Sequence, residues 1–147
     1  MKWLLQIFVA FALLVGMLSA QPAPSDRFQP VDIFIDSRDK SLAAYQLEFS
    51  VKSGNATVVG VEGGERPAFK EAPFYDPKAI QQERVIIAAF STSAADKLPK
   101  GKTRVATIHL QISGDHQPQF ELKLETAASV EGKRISVEAT FEERNAK

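Results

Sequence analysis

SLAAYQLEFSVKSGNATVVGVE, residues 41–62, decides how the rest of the chain reads. Tyr45, Leu47, Phe49 and Val51 fall on one side of a two-residue period, and Ala44, Gln46, Glu48, Ser50 and Lys52 fall on the other. Successive side chains of a strand point to opposite faces, so this alternation marks a half-buried strand with one apolar wall and one wet face. Ser53, Gly54 and Asn55 then carry turn chemistry, and a second β-rich run at residues 57–61 leads into Gly63 and Gly64. The expectation is a pair of consecutive strands, an opening hairpin at the centre of a sheet.

Working outward, residues 31–36 form an earlier strand with Val31, Ile33 and Ile35 on one side, and residues 37–40 turn the chain. Residues 65–82 hold Pro67, Pro73 and Pro77 and the aromatics Phe69, Phe74 and Tyr75 without a sustained period. This is a long loop across one end of the fold, the kind of segment that often carries binding residues. RVIIAAF, residues 84–90, is almost continuously apolar and reads as a central strand covered on both faces. In residues 103–112 the period places Ala106, Ile108, Leu110 and Ile112 inward and Val105, Thr107, His109 and Gln111 outward. Phe120, Leu122 and Leu124 mark a sixth strand, and Ile135, Val137, Ala139 and Phe141 a seventh. Seven strands with turn chemistry about every ten residues, and no amphipathic helix among them, predict an all-β antiparallel sandwich.

The N-terminus has another character. Lys2 precedes the apolar run of residues 3–18, and Leu18-Ser19-Ala20 leads into Gln21-Pro22-Ala23-Pro24. This is the layout of a secretory signal helix cleaved after Ala20. The expected organisation is signal peptide 1–20, flexible leader 21–29, sandwich domain 30–143 and charged tail 144–147. The protein is then exported to a periplasm, to the cell surface or to the medium, and it meets a membrane only through the signal segment if that is retained. Cleavage would remove Lys2 and Trp3, the one tryptophan, and leave 17 basic against 18 acidic side chains. So balanced a charge gives no field to recruit nucleic acid. The absence of Cys excludes disulfides, thiolate metal sites and a cysteine nucleophile.

Little else in the chain points to catalysis. His109 and His116 are the two histidines, and neither stands at a metal-ligand spacing from other donors. Asp36 with Asp39, and Glu62 with Glu65, offer too few oxygens for a hard cation. No nucleophile elbow, phosphate-binding glycine loop or zinc-protease motif occurs. The expectation is a protein that is not an enzyme and carries no cofactor or metal.

Four stretches resemble the cohesin domain: LAAYQLEFSV (42–51), NATVVGVEGG (55–64), RVIIAAFST (84–92) and TRVATIHLQIS (103–113). They look like the family's second, third, fifth and sixth strands, and the likeness runs over residues 31–142. It implies a jelly-roll β-sandwich and a non-catalytic module that binds another protein, a dockerin-like module or an envelope protein. The family's dockerin-contacting Asn and Asp positions fall here on Ala44 and Gln46. The candidate partner-binding residues are Gln46, Glu48, Thr107, His109 and Gln111 on the outward sheet positions, with Phe74 and Tyr75 in the loop. The alternative is a carbohydrate-binding module that takes a polysaccharide. Without Trp, and with Tyr45 on the inward side, its sugar-stacking surface would be Tyr75 and the neighbouring Phe residues.

Overall fold

Alternating apolar residues form a strand only when a second surface covers them, and here two sheets cover each other. The structure is a computed structural model and describes residue 21 and residues 25–145; the expected signal peptide lies outside them. Seven strands are found among the described residues: β1 (Asp26–Asp36), β2 (Ala44–Ser53), β3 (Ala56–Gly63), β4 (Arg84–Phe90), β5 (Lys102–Ser113), β6 (Gln119–Ala128) and β7 (Glu138–Glu143). They form a four-stranded sheet, β3-β5-β1-β7, and a three-stranded sheet, β4-β2-β6. All their pairings are antiparallel. Each strand lies in the opposite sheet from the one before it, so every connection crosses the core.

The core follows the inward period. Val31, Ile33 and Ile35 of β1, Leu47 and Phe49 of β2, and Ile108, Leu110 and Ile112 of β5 are fully buried in one cluster fed by both sheets. Phe49 packs between Phe120, with ring centroids 5.2 Å apart, and Phe141, edge-on at 6.1 Å. The Tyr45 ring meets Phe69 edge-on at 5.4 Å, and its hydroxyl donates to the Val105 carbonyl at 3.2 Å. That bond satisfies a phenol whose burial pushes its pKa up.

Several expectations need correction. β2 and β3 are not a hairpin: β2 is the central strand of one sheet and β3 an edge of the other. The Gly54 turn is a crossover instead, with φ at +87° and no room for a side chain against Pro118. β1 begins at Asp26, so residues 26–29 belong to the sheet and not to a leader. The period is hidden there because an inward position is polar: Gln29 is buried and donates to Glu143 at 2.6 Å. β4 is an edge strand, not a central one. Val105, expected outside, is fully buried. A β-bulge opposite Ile33/Phe34 gives β5 one extra residue, which turns both Val105 and Ala106 inward.

Candidate functional site

The outward candidates divide between two surfaces. On the four-stranded sheet, Thr107 is fully buried under its neighbours: its hydroxyl donates to Asp32 at 2.7 Å and accepts from Arg104 at 2.9 Å. Arg144 closes over them through a 3.0 Å ion pair with Asp32. His109 sits 3.2 Å from Glu62, and Gln111 donates to Asp26 at 2.8 Å. Asp26 also accepts from Ser113, and these two hydrogen bonds, that of Ser113 foremost, hold its carboxyl below the usual range. Lys102 pairs with Glu142 at 2.7 Å and lies over the Phe34 ring at 4.6 Å. Thr107 and Gln111 are thus engaged within the chain, while His109 Nε2 lies close to Glu62 without a hydrogen bond. Thr107 in particular is corrected from an outward contact to a covered one, because Arg104, Asp32 and Arg144 converge on its hydroxyl.

The three-stranded sheet presents a different face. Register sets its outward residues in rows across β4, β2 and β6: Phe90, Ala44, Ala128; then Ala88, Gln46, Thr126; then Ile86, Glu48, Lys123; then Arg84, Ser50, Glu121. The lower rows are charged and internally paired, with Arg84–Glu48 at 2.7 Å and Lys52–Glu121 at 3.1 Å. Arg84's hydrogen bond is the main reason the Glu48 carboxyl is held below its ordinary pKa. The upper two rows hold Phe90, Ala44, Ala128 and Ala88 with Gln46 and Thr126 as their polar members, and Phe90 is 65% exposed; Ile86, 39% exposed, continues the apolar edge into the Glu48 row.

Phe74 completes this patch. It is 69% exposed, and its ring lies parallel to that of Phe90, 12° between planes and 6.1 Å between centroids. The backbone beneath it is fixed. Phe74 N–H donates to the Ala88 carbonyl at 2.8 Å, and Ala88 N–H returns the bond at 3.0 Å, which adds one residue of the loop to the edge of β4. On one side Pro73 is buried. On the other, the Asp76 carboxylate accepts from Lys78 N–H at 2.9 Å and caps a short 3-10 turn that begins at Pro77. A large apolar side chain is thereby held out in water on a chain with little freedom to retract it.

Gln46, Phe74, Tyr75, Asp76, Arg84 and Ile86 line a shallow open depression of about 540 Å³ beside the pair. Four sequence candidates therefore share one surface: Gln46, Phe74 and Tyr75 in the depression, with Glu48 in the next row paired to Arg84. Tyr75 is half-buried and packs against the core, so Phe74 is the freer contact. Gln46 is exposed and its amide has no hydrogen bond among the described residues. Ile86 and Phe90 are not among the sequence candidates, because an apolar run such as RVIIAAF implies cover on both faces; as an edge strand, its even positions mark them.

Elsewhere among the described residues, exposed large apolar side chains stand singly, Phe28 on the four-stranded sheet and Val130 in the loop after β6. No three His, Cys, Asp or Glu side chains converge among the described residues in a way that would hold a metal ion. Comparison with protein-family models, with curated proteins and with solved structures finds no match to this chain.

Proposed function

We propose that this chain is an exported, non-catalytic binding module of the cohesin-like, jelly-roll kind, and that it binds a partner protein through the outer face of the β4-β2-β6 sheet. The observation that carries this reading is the parallel, exposed Phe74–Phe90 pair with Ile86 below it. A contiguous apolar patch rimmed by charged pairs is the usual composition of a recognition surface. Its rigidity adds to the argument, since an anchor already fixed in place loses little entropy on binding. The strict alternation of successive strands between two sheets supports the jelly-roll description.

The same face supports the cohesin likeness and modifies it. Ala44 and Gln46, the positions where that family places its Asn and Asp contacts, lie directly beside Phe90 and Ala88. The partner on this reading is held by aromatic and aliphatic contact with the Gln46 amide as a polar guide, and not by a row of carboxylates. The test is a titration of the captured partner against wild type and Phe74→Ala. Loss of a central aromatic anchor should cost about 2 kcal/mol or more, on the order of thirtyfold in affinity. Unchanged affinity refutes the assignment.

A second reading rests on the parallel rings themselves, which would stack on a sugar. Retention on insoluble polysaccharide that disappears in Phe74→Ala would favour it. Export is tested separately by the intact mass of the protein recovered outside the cytoplasm, which should begin at Gln21.

A further inference from the structure

Lys52, Arg84, Lys102 and Lys123 on the strands, and Arg144 just after β7, each lie within 3.1 Å of a carboxylate. Other cations have none: among the described residues, the side chains of Arg38, Arg66, Lys70, Lys78, Lys97, Lys100, Lys133 and Arg134 make neither an ion pair nor a hydrogen bond, and all are exposed. Five of them, Arg38, Arg66, Lys97, Lys100 and Arg134, gather on the loops at one end of the sandwich. The described residues as a whole carry 16 basic and 18 acidic side chains, so this concentration runs against the net charge.

These cations line two neighbouring grooves. One, of about 560 Å³, lies between Arg66 and the segment bearing Asp96, Lys97 and Lys100. The other, of about 330 Å³, is lined by Arg38, Asp39, Lys40, Arg134 and the serines Ser37 and Ser136. Each groove thus sets three cations against one carboxylate. The loops between them are fastened together: Ser37 N–H donates to the Gly101 carbonyl, Gly101 N–H to that of Arg38 at 2.7 Å, and Leu42 N–H to that of Pro99. Leu98 and Pro99 are buried, which fixes the backbone from which Lys97 and Lys100 project. Nearby acids are committed elsewhere, Glu65 to the Arg104 N–H and Asp36 to the Arg38 N–H.

Arg38 supplies a separate observation. Its φ is +54°, a left-handed conformation that favours glycine and is uncommon for a long side chain. The fold tolerates strain there while keeping a guanidinium at the groove, a pattern that points to a function for the side chain.

We propose that this end of the sandwich binds an acidic polysaccharide, with its carboxylate or sulfate groups on the cations of the two grooves. Guanidinium forks match the planar or tetrahedral oxyanions of such a chain. The one carboxylate in each groove, with the exposed Ser136 hydroxyl in the second, supplies acceptors and donors for its hydroxyls. Two separate concave grooves suit an extended chain with repeated charges better than a flat lipid surface. Among the described residues neither groove is lined by an aromatic side chain that could stack a nucleic-acid base. The site lies on different residues from the aromatic sheet face, and its test stands whether or not that face binds a protein.

The experiment is isothermal titration of the full chain with heparin and with polygalacturonate, at low salt and at physiological salt. Neutral dextran, single-stranded DNA and vesicles of phosphatidylglycerol with phosphatidylcholine serve as comparisons. Binding to at least one acidic polysaccharide, weakening as salt rises, is expected. Which of the two binds more tightly separates sulfate from carboxylate as the recognised group. Lys97→Ala/Lys100→Ala and Arg134→Ala should each weaken it about tenfold, and Lys52→Ala/Lys123→Ala should leave it unchanged. Arg38→Gly is the decisive variant, because it removes the guanidinium and relieves the backbone: binding should weaken while the melting temperature holds or rises. Equal binding by the groove variants, tighter binding to DNA or vesicles, or no binding to either polysaccharide at low salt would each overturn the proposal.

Discussion

Phe49→Ala, set beside Phe74→Ala, separates the aromatic side chains that build the fold from those that stand exposed on the sheet face. Phe49 is fully buried at the centre of β2, between Phe120 and Phe141. Truncation leaves a cavity that two aromatic neighbours from different strands cannot both move to fill, so about 3–5 kcal/mol should be lost. A domain of this size has about 5–15 kcal/mol in all. With a urea slope of about 1–3 kcal/mol per molar, the midpoint should fall by at least about 1 M. Phe74→Ala removes the same ring from a position that is 69% exposed, and its unfolding free energy should stay within about 0.5 kcal/mol of wild type. Urea melts followed by far-UV circular dichroism measure both, and avoid any dependence on Trp3, the one tryptophan. Equal shifts in the two variants would refute the division into buried wall and exposed anchor.

Thr107→Val should cost about 1–3 kcal/mol in the same melt, because it leaves Asp32 without its hydroxyl donor and Arg104 with the Gly63 carbonyl alone as acceptor; a neutral result would mean that Thr107 faces water. Gly63→Ala would drive a methyl group into the Lys70 carbonyl, so a loss of about 1–3 kcal/mol is expected, together with a displaced Phe69 ring visible in the Tyr45 environment by NMR. Glu48→Gln tests the ion pair with Arg84 through pH. The Glu48 carboxyl is held below its ordinary value, so the pair's stabilisation is complete above the unfolded carboxylate pKa of about 4.3 and is lost as pH falls through the lower folded value. Wild type and variant should therefore differ at neutral pH and converge in acid, and a difference that grows in acid would contradict the assignment.

The strands were legible because burial imposes a period on side chains. Tyr45, Leu47 and Phe49, and Ile108, Leu110 and Ile112, are inward as their spacing requires. Pairing was not legible, because a turn such as Ser53-Gly54-Asn55 has the same chemistry whether it closes a hairpin or carries the chain to the other sheet. Bulges were equally silent: nothing in Arg104-Val105-Ala106 announces that two successive residues turn inward. The informative failure is RVIIAAF. A run apolar on both faces was read as covered on both, yet one face stands open with Ile86 and Phe90 exposed, and that open face is the candidate site. Local rules give way where a surface is kept for something other than folding. Thr107, His109 and Gln111 share the outward period with Gln46 and Glu48, and the period alone does not say that they lie on the other sheet with the Thr107 hydroxyl and Gln111 amide already engaged.

The central claim is that the outer face of β4-β2-β6, and not the four-stranded sheet, is the recognition surface. The most direct measurement is partner binding by three forms of the protein with unchanged urea midpoints: wild type, Phe74→Ala/Phe90→Ala, and Gln111→Ala/His109→Ala as the control on the opposite face. A partner should bind wild type and the control alike and lose at least about thirtyfold in affinity for the aromatic variant. A partner that binds all three equally, or that is lost only with the control, would contradict it.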